Sequence, residues 1–196
     1  MFKFVFTTLV CVLAYSLPFP HSFLPSLQEA GACIRELRRP DYHQDVIRIG
    51  VEMVLEKKDK ERTQLATCLV ALHGDGILSS DAIAKGYADV LEFLDDIAID
   101  CPKASGDLGA MLGRVAAAGA LGLEFLAHAL PPAVDSGRAA ELVVALLAEA
   151  KSVGGEAKPS ELLSNSGLDL LSFLPEASRS QDHLDQLLAA KGISIS

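Results

Sequence analysis

Between Leu65 and Pro102 the chain reads LATCLVALHGDGILSSDAIAKGYADVLEFLDDIAIDCP, and no other stretch restricts the fold as much. Ile83, Tyr87, Val90, Leu91 and Leu94 recur at the three-and-four spacing that gives a helix one apolar side. Ser79 or Ser80 supplies the start signal, a side-chain oxygen for the first unpaired backbone amides. Upstream, Leu65, Cys68, Leu69 and Leu72 make a second such stripe in a helix starting near Arg62, and the Gly74-Asp75-Gly76 turn separates the two. Downstream, Asp95, Asp96 and Asp100 crowd into an acidic corner with Ile97 and Ile99 between them, and Pro102 forbids helix at Cys101. The expected unit is a helix pair closed by carboxylates at the edge of an apolar core, where another molecule can reach them.

The same spacing predicts helices from Ser26 to Leu37, Tyr42 to Leu55, Lys103 to Val115 and Ser136 to Lys151. Helical turns follow at Ser160–Ser164 and Leu168–Leu174, and a last helix is capped by Ser180 and stopped by Gly192. Ala116 to Leu130 is almost uncharged and reads as a helix placed deep in the fold. Half of the chain is hydrophobic while aromatics make only 6% and tryptophan is absent. Small aliphatic side chains must therefore fill the interior, which suits closely packed helices. The expectation is an all-α fold of stacked antiparallel helix pairs, a HEAT-like α-α superhelix. Residues 1–25 form an atypical leading segment, 26–152 the core, and 153–196 a helical C-terminal part packed on the same domain.

A net charge of −9 argues against a protein that clamps nucleic-acid backbones, since such binders neutralise phosphates with Lys and Arg. A basic protein surface is the natural partner. The five histidines, His21, His43, His73, His128 and His183, are scattered, and none of the four cysteines forms a CxxC pair. No metal spacing, nucleophile elbow or phosphate loop stands in the chain, so neither an enzyme nor a cofactor is expected. The aspartates serve more simply as hydrogen-bond acceptors for a partner's arginines. Residues 1–16, MFKFVFTTLVCVLAYS, read as a secretory signal, with Lys3 ahead of an apolar run and small residues at Ala14 and Ser16. No later segment has the roughly 18 continuous apolar residues of a membrane span. Together with the uncharged Ala116–Leu130 region, that signal leaves a second reading open, a secreted helical carrier of a small apolar ligand.

Three segments carry a family resemblance: EAGACIREL at Glu29–Leu37, YHQDVIRIGVEMVLEKKDKER at Tyr42–Arg62 and ILSSDAIAKGYADVLEFLDDIAIDCPKA at Ile77–Ala104. They resemble the MI domain, also called MA-3, of the translation-initiation scaffold initiation factor four G and of the programmed-cell-death translation inhibitor. The tail SGLDLLSFLPE at Ser166–Glu176 is closer to the scaffold. The resemblance covers about residues 27 to 195. It implies stacked helix pairs that bind the DEAD-box RNA helicase of translation initiation, in the cytoplasm and among other initiation proteins. It also implies a protein-binding role for Glu56, at the end of the second helix, and for Asp96 and Asp100 in the acidic corner. The chain departs from the family pattern at HSFLPSLQ, which occupies the start of the first helix, at Leu163 and at Ala177. It carries neither the scaffold's middle helicase-binding domain nor a cap-binding motif.

Overall fold

A computed structural model of the chain describes residues 30–36 and 38–195. The signal-like segment 1–16, the expected helix start at Ser26 and Leu37 lie outside them. Among the described residues every regular element is helical and none is a strand. Contacts divide the chain into two compact units, one ending at Tyr87 and the other beginning at Ala88, and each is described by itself.

The first unit opens with helix α1 over residues 30–36, whose Ala30 and Ile34 are buried. After a 3-10 turn at Pro40–Tyr42 come α2 (His43–Leu55) and α3 (Asp59–Gly74), which pack on one another across a three-residue link. A link that short leaves the two helices antiparallel. Val46, Ile47, Val51 and Val54 of α2 and Leu65, Leu69 and Leu72 of α3 are buried. Helix α3 begins before Arg62, and the Arg62 guanidinium explains why: it donates to the carbonyl of Leu55 at 3.3 Å, to that of Lys57, and to Asp59 Oδ1 at 2.5 Å. Those bonds satisfy the carbonyls of Leu55, the last residue of α2, and of Lys57 in the link, which lack partners further along a helix. Helix α4 (Ser80–Leu91) is capped by Ser79, whose Oγ accepts from the Ala82 amide at 3.1 Å. Its Gly86 lies so close to α2 that a Cβ there would stand 2.7 Å from Ile47 Cβ.

The second unit takes in the end of α4 and then α5 (Leu94–Asp100), α6 (Ala104–Ala117), the short α7 (Leu126–Ala129) and α8 (Arg138–Gly154). Helices α9 (Lys158–Ser166) and α10 (Gln181–Ala190) complete it. The seam between α6 and α8 is the most extensive helix contact in the unit. A Cβ at Gly109 would collide with the Leu142 carbonyl and stand 2.8 Å from Ala145 Cβ, and one at Gly113 would collide with the Leu146 carbonyl and stand 3.0 Å from Glu149 Cβ. Residue numbers rise together across the seam, so α6 and α8 run parallel. Residues 118–137 carry the chain back between them. Arg114 and Glu149 form an ion pair along the same seam.

The stretch Ala116–Leu130 is not the single helix that its composition predicts. Helix α6 ends at Ala117, and Gly119 turns the chain with φ +77°, a left-handed conformation open to glycine. Its placement deep in the fold holds: Ala120, Leu121, Leu123, Leu126 and Leu130 are buried. The run that suggested a ligand carrier therefore fills the interior of this unit with its own side chains. The C-terminal part packs on α8 through α9 and through the 3-10 turn Leu170–Phe173, which α10 also contacts. Ser180 caps α10 by accepting from the His183 amide at 3.2 Å, and Gly192 ends it with φ +65°.

Candidate docking site

The acidic corner is itself a helix. The inward period of α4 continues past its end through Leu91, Leu94 and Ala98, all buried, so residues 94–100 keep helical pitch. Phe93 joins the new helix by accepting from the Ile97 amide at 2.9 Å. Pro102 stops it, and Cys101 leaves helical geometry with φ −119° and ψ 81°. With Leu94 and Ala98 facing in, Phe93, Asp96, Ile99 and Asp100 follow at spacings of three and four along the outer side.

The three aspartates have two different fates. Asp95 turns to its own fold: its Oδ1 accepts from Ser136 Oγ at 2.7 Å and from the Arg138 guanidinium at 2.9 Å. The Ser136 bond first, and then Arg138, hold its carboxyl below the ordinary range. Asp96 and Asp100 are exposed, and their carboxylates make no hydrogen bond or ion pair with any described residue. They sit one turn apart, where like charges oppose helix formation. Asp100 is moreover the last residue of α5, at the end whose unpaired carbonyls disfavour a carboxylate. Between and beside them, Ile99 is 74% exposed and Phe93 55%. Two large apolar side chains alternating with two unneutralised acids suit a partner that offers arginines around an apolar recess.

Glu56 belongs to the first unit. It is the exposed C-cap residue of α2, again a carboxylate at a helix C-terminus, and exposed Lys57 and Lys58 follow it. The fold therefore brings Asp96 and Asp100 together, while Glu56 is placed within its own unit. Sequence reasoning noted Ile99 among the acids without giving it a role, passed over Phe93, and left Asp95 with the other aspartates. Carrying the period of Leu91 and Leu94 forward to Asp100 would have turned Phe93 and Ile99 outward.

Elsewhere no group of His, Cys, Asp and Glu among the described residues could hold a metal ion. No described helix is long and apolar enough to cross a membrane. Cys68 is buried in α3, and burial pushes its thiol up to about 11, whereas Cys33 and Cys101 are half-buried.

Paired helices with a charged, apolar-studded outer face define a helical-repeat protein of the kind that presents surfaces to other molecules. Comparison with known proteins gives the family. Residues 22–122 match the MA3 domain, and the chain belongs to the MA3 family. It is 30% identical over 158 residues to eukaryotic translation initiation factor 4G of Arabidopsis thaliana, covering 76% of this chain and 9% of that protein. It is 32% identical over 157 residues to the same factor of Cucumis melo, covering 76% of this chain and 8% of the factor. It is also 35% identical over 77 residues to MA3 domain-containing translation regulatory factor 4 of Arabidopsis thaliana, covering 39% of this chain and 12% of that protein. The chain thus spans less than a tenth of the length of the two initiation factors.

Proposed function

We propose that this chain is a noncatalytic adaptor of translation initiation in the cytoplasm that docks on the DEAD-box RNA helicase through the outer face of α5. The observation that carries this reading is the pair Asp96 and Asp100, left without cations of their own beside exposed Phe93 and Ile99. Asp100 stands at the helix end that disfavours a carboxylate and one turn from a like charge at Asp96, and a site that gives up stability in this way is better accounted for by binding than by folding. Membership of the MA3 family and similarity to proteins named as translation initiation factors supply the process. Glu56 is a further contact, 26–152 with 153–196 serves as one docking domain without a cofactor, and other initiation proteins join the complex.

On the partner, arginines would bind the two carboxylates with charge-assisted hydrogen bonds while an apolar recess receives Ile99 and Phe93. Titration calorimetry of purified residues 26–196 against the helicase tests this directly. Asp96→Ala with Asp100→Ala is expected to weaken binding at least tenfold without loss of helical content. Absence of any interaction at low salt, or an unchanged affinity in the double variant, removes the assignment.

A further inference from the structure

We propose that Asp95 is the positioning residue of this face, holding α5 in the rotation that turns Asp96 and Asp100 outward; the inference rests on the docking role given to that face. Helix α5 has seven residues, and a helix so short does not hold its own geometry. Only Leu94 and Ala98 anchor it by burial. A further restraint is polar and comes from far along the chain. Ser136 Oγ donates to Asp95 Oδ1 at 2.7 Å and stands 3.1 Å from the Ala133 carbonyl oxygen, while the Arg138 amide donates to Ser136 Oγ at 3.5 Å. Arg138, the first residue of α8, adds its guanidinium to the same aspartate oxygen at 2.9 Å.

Neighbouring residues on a helix point about 100° apart. Tying Asp95 to the start of α8 therefore sends the next side chain, Asp96, away from the protein body, and Asp100 with it one turn on. Without the tie, α5 can roll about the line of Leu94 and Ala98 and carry both acids off the docking direction. Asp95 need not touch the partner to set affinity. Ser136 sets it as well, although it bears no charge.

Hydrogen exchange on the free protein and helicase affinity, measured on the same variants, test the proposal. In Ser136→Ala, which keeps every charge, and in Asp95→Asn, amides 96–101 should exchange at least threefold faster and affinity should fall three- to tenfold. Asp95→Arg should lose more. Combining it with Arg138→Asp rebuilds the pair with its charges reversed and should return both readouts to within about twofold of wild type. Circular dichroism checks that each variant folds.

Unchanged exchange and affinity in both mild variants overturn the proposal. A swapped pair that recovers protection but not affinity also overturns it, because Asp95 would then contact the partner itself. If the wild-type chain does not bind the helicase, the docking role falls. The exchange measurement then shows by itself whether Asp95 holds α5.

Discussion

At Asp100 a single carboxylate does two opposed things. It ends α5 beside unpaired backbone carbonyls, and removing its charge relieves that repulsion and the one with Asp96. Asp100→Asn should therefore raise unfolding free energy by about 0.3 to 1 kcal/mol in urea titrations while lowering helicase affinity. Stability and binding moving in opposite directions would distinguish a docking residue from a packing one. Tyr87 poses the converse case: its ring is fully buried and its hydroxyl has no hydrogen-bond partner among the described residues. Such a hydroxyl is desolvated without return, so Tyr87→Phe should leave stability equal or raise it by up to about 1 kcal/mol, read from the urea midpoint. Asp95 gives a pH dependence. Its folded carboxyl titrates below the unfolded one, so its contribution is complete above the ordinary carboxylate range and is lost as pH falls through the depressed folded value. The side chain is 43% exposed in its pair with Arg138, which keeps that contribution below about 1 kcal/mol. Denaturation curves of wild type and Asp95→Asn should differ at pH 7, begin to draw together near the ordinary carboxylate value of about 3.9, and meet only below the depressed folded value.

Between elements, the parallel seam of α6 and α8 makes a sharper prediction, because one substitution in one helix should have opposite signs at two places. Gly109→Ala drives a methyl into the Leu142 backbone carbonyl, which cannot rotate aside as a side chain would. A loss of about 1 to 3 kcal/mol is expected. At Gly106 the nearest atom to an added Cβ is Glu141 Oε1 at 3.9 Å, so Gly106→Ala should instead gain up to about 1 kcal/mol from helix propensity. Thermal unfolding of the two variants decides it.

The presence of α2, α3, α4 and α8 was legible in the sequence because each keeps an apolar side, although α3 starts at Asp59 rather than near Arg62 and α8 runs Arg138–Gly154 rather than from Ser136 to Lys151. Ala116–Leu130 was not, since a run without polar residues has no periodicity to lose where Gly119 breaks the helix. The helical nature of α5 was hidden by its acids, which read as the end of a helix rather than as its outer side. Asp96 and Asp100 were found as a cluster. The tie between Asp95 and Ser136 spans 41 residues, and no local pattern announces a partner that distant.

For the whole molecule the governing quantity is net charge, −9. Association with a basic protein is steered by long-range attraction, and salt weakens it over a Debye length of about 10 Å at 0.1 M. Stopped-flow measurements should show the association rate for the helicase falling steeply from 50 to 300 mM salt, while dissociation changes little. The same charge repels polyphosphate backbones, so RNA should not retain the chain in gel-shift experiments even at low ionic strength. Thiol chemistry offers a view of the first unit. Because Cys68 is buried in α3 and burial pushes its thiol up to about 11, an alkylating reagent meets a reactive thiolate there chiefly during an opening of that unit. The pace at which Cys68 is labelled, set against that of half-buried Cys101, thus becomes a stopwatch for how often this half of the protein breathes in plain buffer.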